Sequence, residues 1–287
     1  MEEVKRSTKE LSASKAILGI VFAIAILVIA QILALSISEI PLNFGVPGAI
    51  CNIVAGILYV AFTLLGTTLL CKRFLNVSLV EMRIPRLQLE TIWLVSALLM
   101  PIFVLLIAML VGGHWQTNTF DTKTTLATIT GAVAFYGLAT GMVEEIIFRG
   151  IIMGCLEKRL NIKAAIVIPS VLFGLLHIFG NNLDFVSVIQ LLIAGSIVGV
   201  LFSMIAYESN SIWNNAIVHG VWNMSIIGGV LYIGKSTDSN SIFNFVLENK
   251  SFLLSGGDFG IEASVISIFV YLIFIVVAIV LLKKRSR

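Results

Sequence analysis

Glu144 and Glu145 stand side by side in an apolar run, Val143-Glu144-Glu145-Ile146-Ile147-Phe148, with Arg149 four residues beyond the second acid. A charged side chain at the centre of a bilayer costs about 3 kcal/mol on insertion scales. A chain that carries two such acids in neighbouring positions is using the carboxylates. Two further polar sites lie in apolar surroundings downstream. One is His177, in Phe173-Gly174-Leu175-Leu176-His177; the other is the pair His219 and Asn223, in His219-Gly220-Val221-Trp222-Asn223. The remaining histidine, His114, sits beside Trp115 in a predicted outer loop and reads as a surface or interfacial residue.

These residue types can hydrolyse an amide or ester. A carboxylate and an imidazole that converge on a water serve as general base and orienting partner. His and Asn side chains can donate to the oxyanion of a tetrahedral intermediate. No serine or cysteine stands beside the histidines as a nucleophile, and Cys155 lies more than two helical turns beyond Glu145. The spacing thus favours attack by an activated water. A metal site is the alternative, because two His and one or two Glu are good zinc ligands. The HExxH pattern is absent, however, and each candidate ligand comes from a separate helix. Each group also has a plain structural reading as a helix–helix hydrogen bonder or an inert ion pair. Glu145 and Arg149, four apart, share a helix face and can pair. Glu144 points about 100° away from Glu145. His219 and Asn223 share a face.

The elements that position these groups follow from composition. The chain has 287 residues, of which 58% are hydrophobic and 12% charged. A soluble domain carries about 25% charged residues, so the chain reads as an all-α polytopic membrane protein without a separate soluble domain. Cys51, Cys71 and Cys155 are scattered and form no CxxC, which gives neither a disulfide framework nor a zinc–thiolate cluster. They read as small packing residues. Apolar runs near 16–37, 48–71, 90–112, 125–154, 164–179, 186–206, 212–233 and 263–282 predict eight spans around a four-helix core. The first is too long for a cleaved signal and reads as a retained anchor.

With the N-terminus inside, the inner segments hold 15 Lys and Arg and the outer loops three, Lys123, Lys235 and Lys250. The positive-inside rule then places both termini in the cytoplasm of a cell-membrane protein. The inner turn near Glu208 has no Lys or Arg and is the exception. The polar, Gly-rich loop 234–262 is expected to face outside, to be mobile and to carry no chemistry. Gly137 and Gly141, and likewise Gly195 and Gly199, form GxxxG spacings that predict close internal helix packing. At a rise of 1.5 Å per residue, Glu144, His219 and His177 lie roughly 15, 12 and 20 Å from the inner ends of their helices. They are expected to meet near mid-membrane, slightly to the cytoplasmic side.

The three motifs Glu144-Glu145-x-x-x-Arg149, Phe173-x-x-x-His177 and His219-x-x-x-Asn223 resemble those of the CPBP intramembrane proteases, also called the CAAX-protease and bacteriocin-processing or Abi family. That family includes the Ras-converting CAAX endopeptidase. The resemblance covers about 125–233. It implies a catalytic core there, with residues 1–124 contributing three N-terminal helices and 234–287 an outer loop and a last helix. It further implies that Glu144 and His177 activate the water and that His219 and Asn223 form the oxyanion hole. Glu145 and Arg149 would support them, with Glu145 also reaching substrate. The glutamate mechanism implied needs no metal; in a zinc variant the ligands would be Glu144, His177 and His219. The substrate implied is a short or membrane-tethered peptide that enters from the bilayer or the cytoplasmic side. Nucleic acid is not a partner, and prenylated substrates are not required. Two other readings remain open at this point. One is a non-catalytic immunity or scaffold protein that retains the core. The other is a transporter with a proton relay through Glu144, Glu145 and His177, which the absence of internal duplication disfavours.

Overall fold

The computed structural model describes residues 10–285; Lys5, Arg6, Lys9 and Arg287, which enter the charge count, lie outside them. The described residues form an all-α membrane architecture with a small sheet at one end. Helix α1 spans Ala13–Glu39 and starts at Ser12, whose side chain accepts from the Lys15 backbone N–H. Helix α2 spans Gly48–Leu69, follows Pro47 and runs on as π-helix through Leu75. Helix α3 is Thr91–Val111. Helix α4 is the composite rod Thr122–Arg159, capped by Asp121. Helix α5 is Ile162–Leu176, capped by Asn161, and α6 is Phe185–Ser209, capped by Asp184. Helix α7 is Ile212–Trp222 with a π turn Asn223–Ile227, and α8 is Val265–Arg285. Side-chain caps at five of these starts, Ser211 before α7 being the fifth, satisfy backbone donors that would otherwise be orphaned.

Among the described residues six helices, not the eight expected, are long and apolar enough to cross a membrane, although a helix overlaps each of the eight apolar runs. The exceptions are α5 and α7. The 15 residues of α5 make about 22 Å at 1.5 Å per residue, short of a hydrocarbon core about 30 Å thick. The hydropathy carries both helices too far. Helix α5 stops at His177, ahead of Gly180 with φ +84°, and α7 stops ahead of Gly229 with φ +77°. The shortfall matters because His177, His219 and Asn223 sit on these two helices.

The two ends of the bundle differ. At one end Arg285 pairs with Glu90 and Glu208, Arg83 with Glu157, and Lys158 with Glu81 at 3.3 Å. The turn near Glu208, which has no basic residue of its own, borrows one from α8. It is further held by Ile212 N–H to the Arg83 carbonyl at 2.9 Å and Trp213 Nε1–H to the Pro85 carbonyl at 2.8 Å. The other end carries strands β1 (Gly113–Thr117), β2 (Leu231–Gly234) and β3 (Phe243–Leu247) in the order β1-β3-β2. β1 runs antiparallel to β3, with Trp115 opposite Phe245, and β2 runs parallel to it. The loop 234–262 is therefore a folded cap and not a bare connection. It holds β3, a single helical turn at Phe252–Ser255 and a 3-10 turn at Ile261–Ala263.

Small residues set the helix approaches, as the GxxxG spacing predicts. A Cβ on Gly141 would lie 2.7 Å from the Gly220 Cα, and one on Gly199 would lie 2.7 Å from the Ser170 Cα. Both GxxxG patterns are used inside the chain, against α7 and α5. Cys51, Cys71 and Cys155 are buried free thiols, as expected of packing residues, and His114 is exposed on β1.

Candidate active site

Helix α4 presents its two acids from a short α-helical turn, Thr140–Glu145, between π-helical stretches Gly131–Ala139 and Ile146–Ile152. π turns are rare and concentrate at functional sites. The turn sends the acids in different directions. Glu145 is fully buried and is not part of the wall that Glu144 lines. Its Oε1 accepts from Arg149 Nη1 at 2.9 Å and from His219 Nδ1 at 2.8 Å, and its Oε2 accepts from Asn215 Nδ2. Arg149, also fully buried, donates from Nη2 to the Gly199 carbonyl at 3.1 Å. Its guanidinium carbon lies 4.7 Å from the Phe173 ring centre and 5.2 Å from that of Phe202. The two charges offset each other in a place water does not reach. Neither would be tolerated there alone.

Glu144 faces a cavity of about 1060 Å³, which His177, His219 and Asn223 also line. Glu144 Oε2 stands 3.7 Å from His219 Nε2 and has no hydrogen-bond partner among the described residues. Hydrogen bonding fixes both imidazoles. His219 donates from Nδ1 to the Glu145 carboxylate, so the neutral ring carries its lone pair on Nε2, toward Glu144. The ring stacks on Phe202, with centroids 4.6 Å apart and planes at 19°. His177 donates from Nδ1 to the Phe173 carbonyl at 2.7 Å, which leaves Nε2 as the free acceptor. Asn223 spends one amide hydrogen on the Tyr136 carbonyl at 3.1 Å and retains the other. Of the residues singled out in the sequence, four meet at the cavity and two, Glu145 and Arg149, stand behind it.

Two site residues were not read from the sequence. Asn215 is fully buried and holds Glu145 from α7. Its signal was available, since Asn215, His219 and Asn223 recur every four residues on one face. Glu262, in the 3-10 turn before α8, lines the cavity and accepts from Trp222 Nε1 at 2.8 Å. Burial pushes its carboxyl pKa above the usual carboxylate value. The Trp222 hydrogen bond and nearby His177 and His219 pull it down, and Glu144 raises it again. No local pattern in a polar loop announces such a residue. The cavity also lies differently from expectation. Its wall comes from the N-terminal part of α2, the C-terminal ends of α1 and α5, and the loop 234–262. It therefore sits toward the sheet end and away from the basic end.

Among the described residues no three His, Cys, Asp or Glu side chains converge on a point that would hold a metal. Zinc takes ligands at about 2.0–2.2 Å. Here His219 and His177 each donate from Nδ1 and leave Nε2 free, an arrangement that metal-ligating histidines share. As placed, Glu144 and His219 stand 3.7 Å apart, in reach of a shared water or substrate oxygen.

The arrangement places acids and imidazoles from three helices on one cavity within a membrane fold. Residues 125–225 match the Rce1-like family, described as type II CAAX prenyl endopeptidase Rce1-like. No curated protein and no solved structure matches the chain. The Rce1-like match bears out the resemblance carried by the three motifs. It runs from α4 into the π turn of α7 and so contains Glu144, Glu145, Arg149, His177, Asn215, His219 and Asn223. Glu262 falls outside the Rce1-like segment.

Proposed function

We propose that the chain is an intramembrane endopeptidase that attacks a peptide bond with a water activated by Glu144. One observation carries this reading: Glu144 Oε2, without a hydrogen-bond partner among the described residues, and His219 Nε2 face each other at 3.7 Å on the wall of a cavity. That gap is too wide for a direct hydrogen bond, so Oε2 keeps its lone pairs for a water or a substrate oxygen that enters beside the pair. In the proposed reaction Glu144 takes one proton from the water, while His177 Nε2 accepts a hydrogen bond from the O–H that remains and orients it. The water oxygen bonds to the carbonyl carbon. The resulting oxyanion receives hydrogen bonds from the free Asn223 amide hydrogen and from His219, which enters the reaction as the imidazolium, carrying a proton from solvent on Nε2 as well as the one on Nδ1. Glu145 supports that imidazolium through Nδ1. The C–N bond then breaks and Glu144 returns its proton to the departing amine. Glu145, Asn215 and Arg149 position His219 without touching substrate.

The Rce1-like match supports a peptide or membrane-anchored protein as substrate. We take it to be short or membrane-tethered, in a cell-membrane protein with both ends cytoplasmic. The asymmetry of charge favours this topology. The described Lys and Arg gather at one end, and Lys123, Lys235 and Lys250 alone of them stand at the sheet end.

The test is cleavage of candidate peptides by purified protein, with and without a strong chelator. Glu144→Ala and His177→Ala should insert and melt like the parent and lose cleavage. General-base removal is expected to cost about 10²–10⁴-fold. Full activity in both variants would refute the reading. Cleavage should survive the chelator; loss restored by added zinc would replace the glutamate mechanism with a metal one.

A further inference from the structure

The access route to the cavity, and with it the location of the substrate, can be read from the rim. The exposed lining residues Glu39, Leu42, Asn181 and Asn240 all lie at the sheet end of the bundle. Glu39 ends α1, Asn181 follows α5, and Asn240 lies between β2 and β3. Exposed Gln31 and Tyr136 form a flank in the sheet-end halves of α1 and α4. No lining residue comes from the turns where Arg83, Lys158 and Arg285 form their ion pairs. The short α5 explains the opening, because a helix that stops at His177 leaves the space above it unfilled.

We infer that the cavity is loaded from the face of the membrane opposite the basic end, so that the substrate is an extracytoplasmic peptide segment. Calling the occupant a substrate rests on the endopeptidase reading; the side of access does not. The charge of the wall narrows the class. Glu39, Glu144, Asp238 and Glu262 line it, and among the described residues no Lys or Arg does. A free C-terminal carboxylate would find no Lys or Arg there to pair with, and desolvating an unpaired charge is costly. A basic or uncharged segment fits. Candidates are an exported peptide or the outer flank of an anchored protein.

Thiol labelling tests the side of access without any need for turnover. The three native cysteines are buried and give a low background. Asn240→Cys, Ser239→Cys and Thr128→Cys report the rim and wall, and Lys163→Cys reports the basic end. In intact cells a membrane-impermeant maleimide should label 239 and 240 fully and 128 more slowly. Lys163→Cys should label only after permeabilisation. The reverse pattern would overturn the inference, as would labelling of the rim with position 128 unreachable from that side. Right-side-out vesicles should cleave an added peptide, and inside-out vesicles should lose that activity. A rim labelled from outside in a protein that cleaves nothing would sink the endopeptidase reading alone.

Discussion

One residue of helix turns α4 by about 100°, and that rotation divides the labour of two adjacent carboxylates. Glu145 looks into protein and meets Arg149, His219 and Asn215; Glu144 looks into the cavity. The buried carboxylate is the anion that lets a guanidinium sit among Phe148, Phe173 and Phe202. Glu145→Ala would leave the Arg149 charge buried and unpaired, which costs about 3–5 kcal/mol. Thermal unfolding in detergent should show that loss together with loss of cleavage, whereas Glu144→Ala keeps its melting point. A scaffold protein would show the cost at Glu145 and lose no turnover at Glu144, because it has none to lose. The i, i+4 pairing of Glu145 with Arg149 was legible from spacing alone. Its link to His219 was not, since that contact depends on how two helices pack.

At the scale of elements, hydropathy marks where helices run but not where they stop. The sequence places α5 and α7 correctly and makes both too long, because Ile178 and Phe179, and the residues after Gly229, look as apolar as a span. Positive φ at Gly180 and Gly229 ends the helical path. The loop 234–262 was the least legible element. Its polarity suggested solvent, yet pairing with β1 and β2 folds it over the cavity and delivers Glu262 to the wall. That delivery has a consequence for stability. Burial raises the Glu262 carboxyl pKa above 4.5, so the folded state holds the proton more tightly than the unfolded chain does. The stabilisation is complete below about pH 4.5 and is lost as pH rises through the raised value. Glu262→Gln mimics the neutral form and still accepts from Trp222. Parent and variant should melt alike near pH 4, and the variant a few degrees higher near pH 8. A parent that melts higher at pH 8 would mean that the histidines hold Glu262 ionised.

Taken whole, the molecule is tied at one end and hollow at the other. The hollow end keeps its groups in register only if the helices are fixed relative to one another, and the ion pairs at the basic end supply one such fixture. Glu208, at the end of α6, has a fully buried side chain that meets Arg285 Nε at 2.5 Å and accepts from Trp93 Nε1 at 3.1 Å. Arg285 also reaches Glu90 at the start of α3, so one side chain joins α3, α6 and α8. The same α6 carries the Gly199 carbonyl that holds Arg149 and the Phe202 ring under His219. Arg285→Ala leaves a buried carboxylate with one donor, a loss of about 1–3 kcal/mol. It should lower the melting temperature in detergent, whereas Lys284→Ala, at an exposed neighbour, should not. Glu208→Gln in the Arg285→Ala background should recover much of the loss, because the uncompensated charge is gone. Equal melting of Arg285→Ala and Lys284→Ala would show that the α3–α6–α8 tie contributes nothing, and the register of the site would then depend on the glycine-lined helix contacts alone.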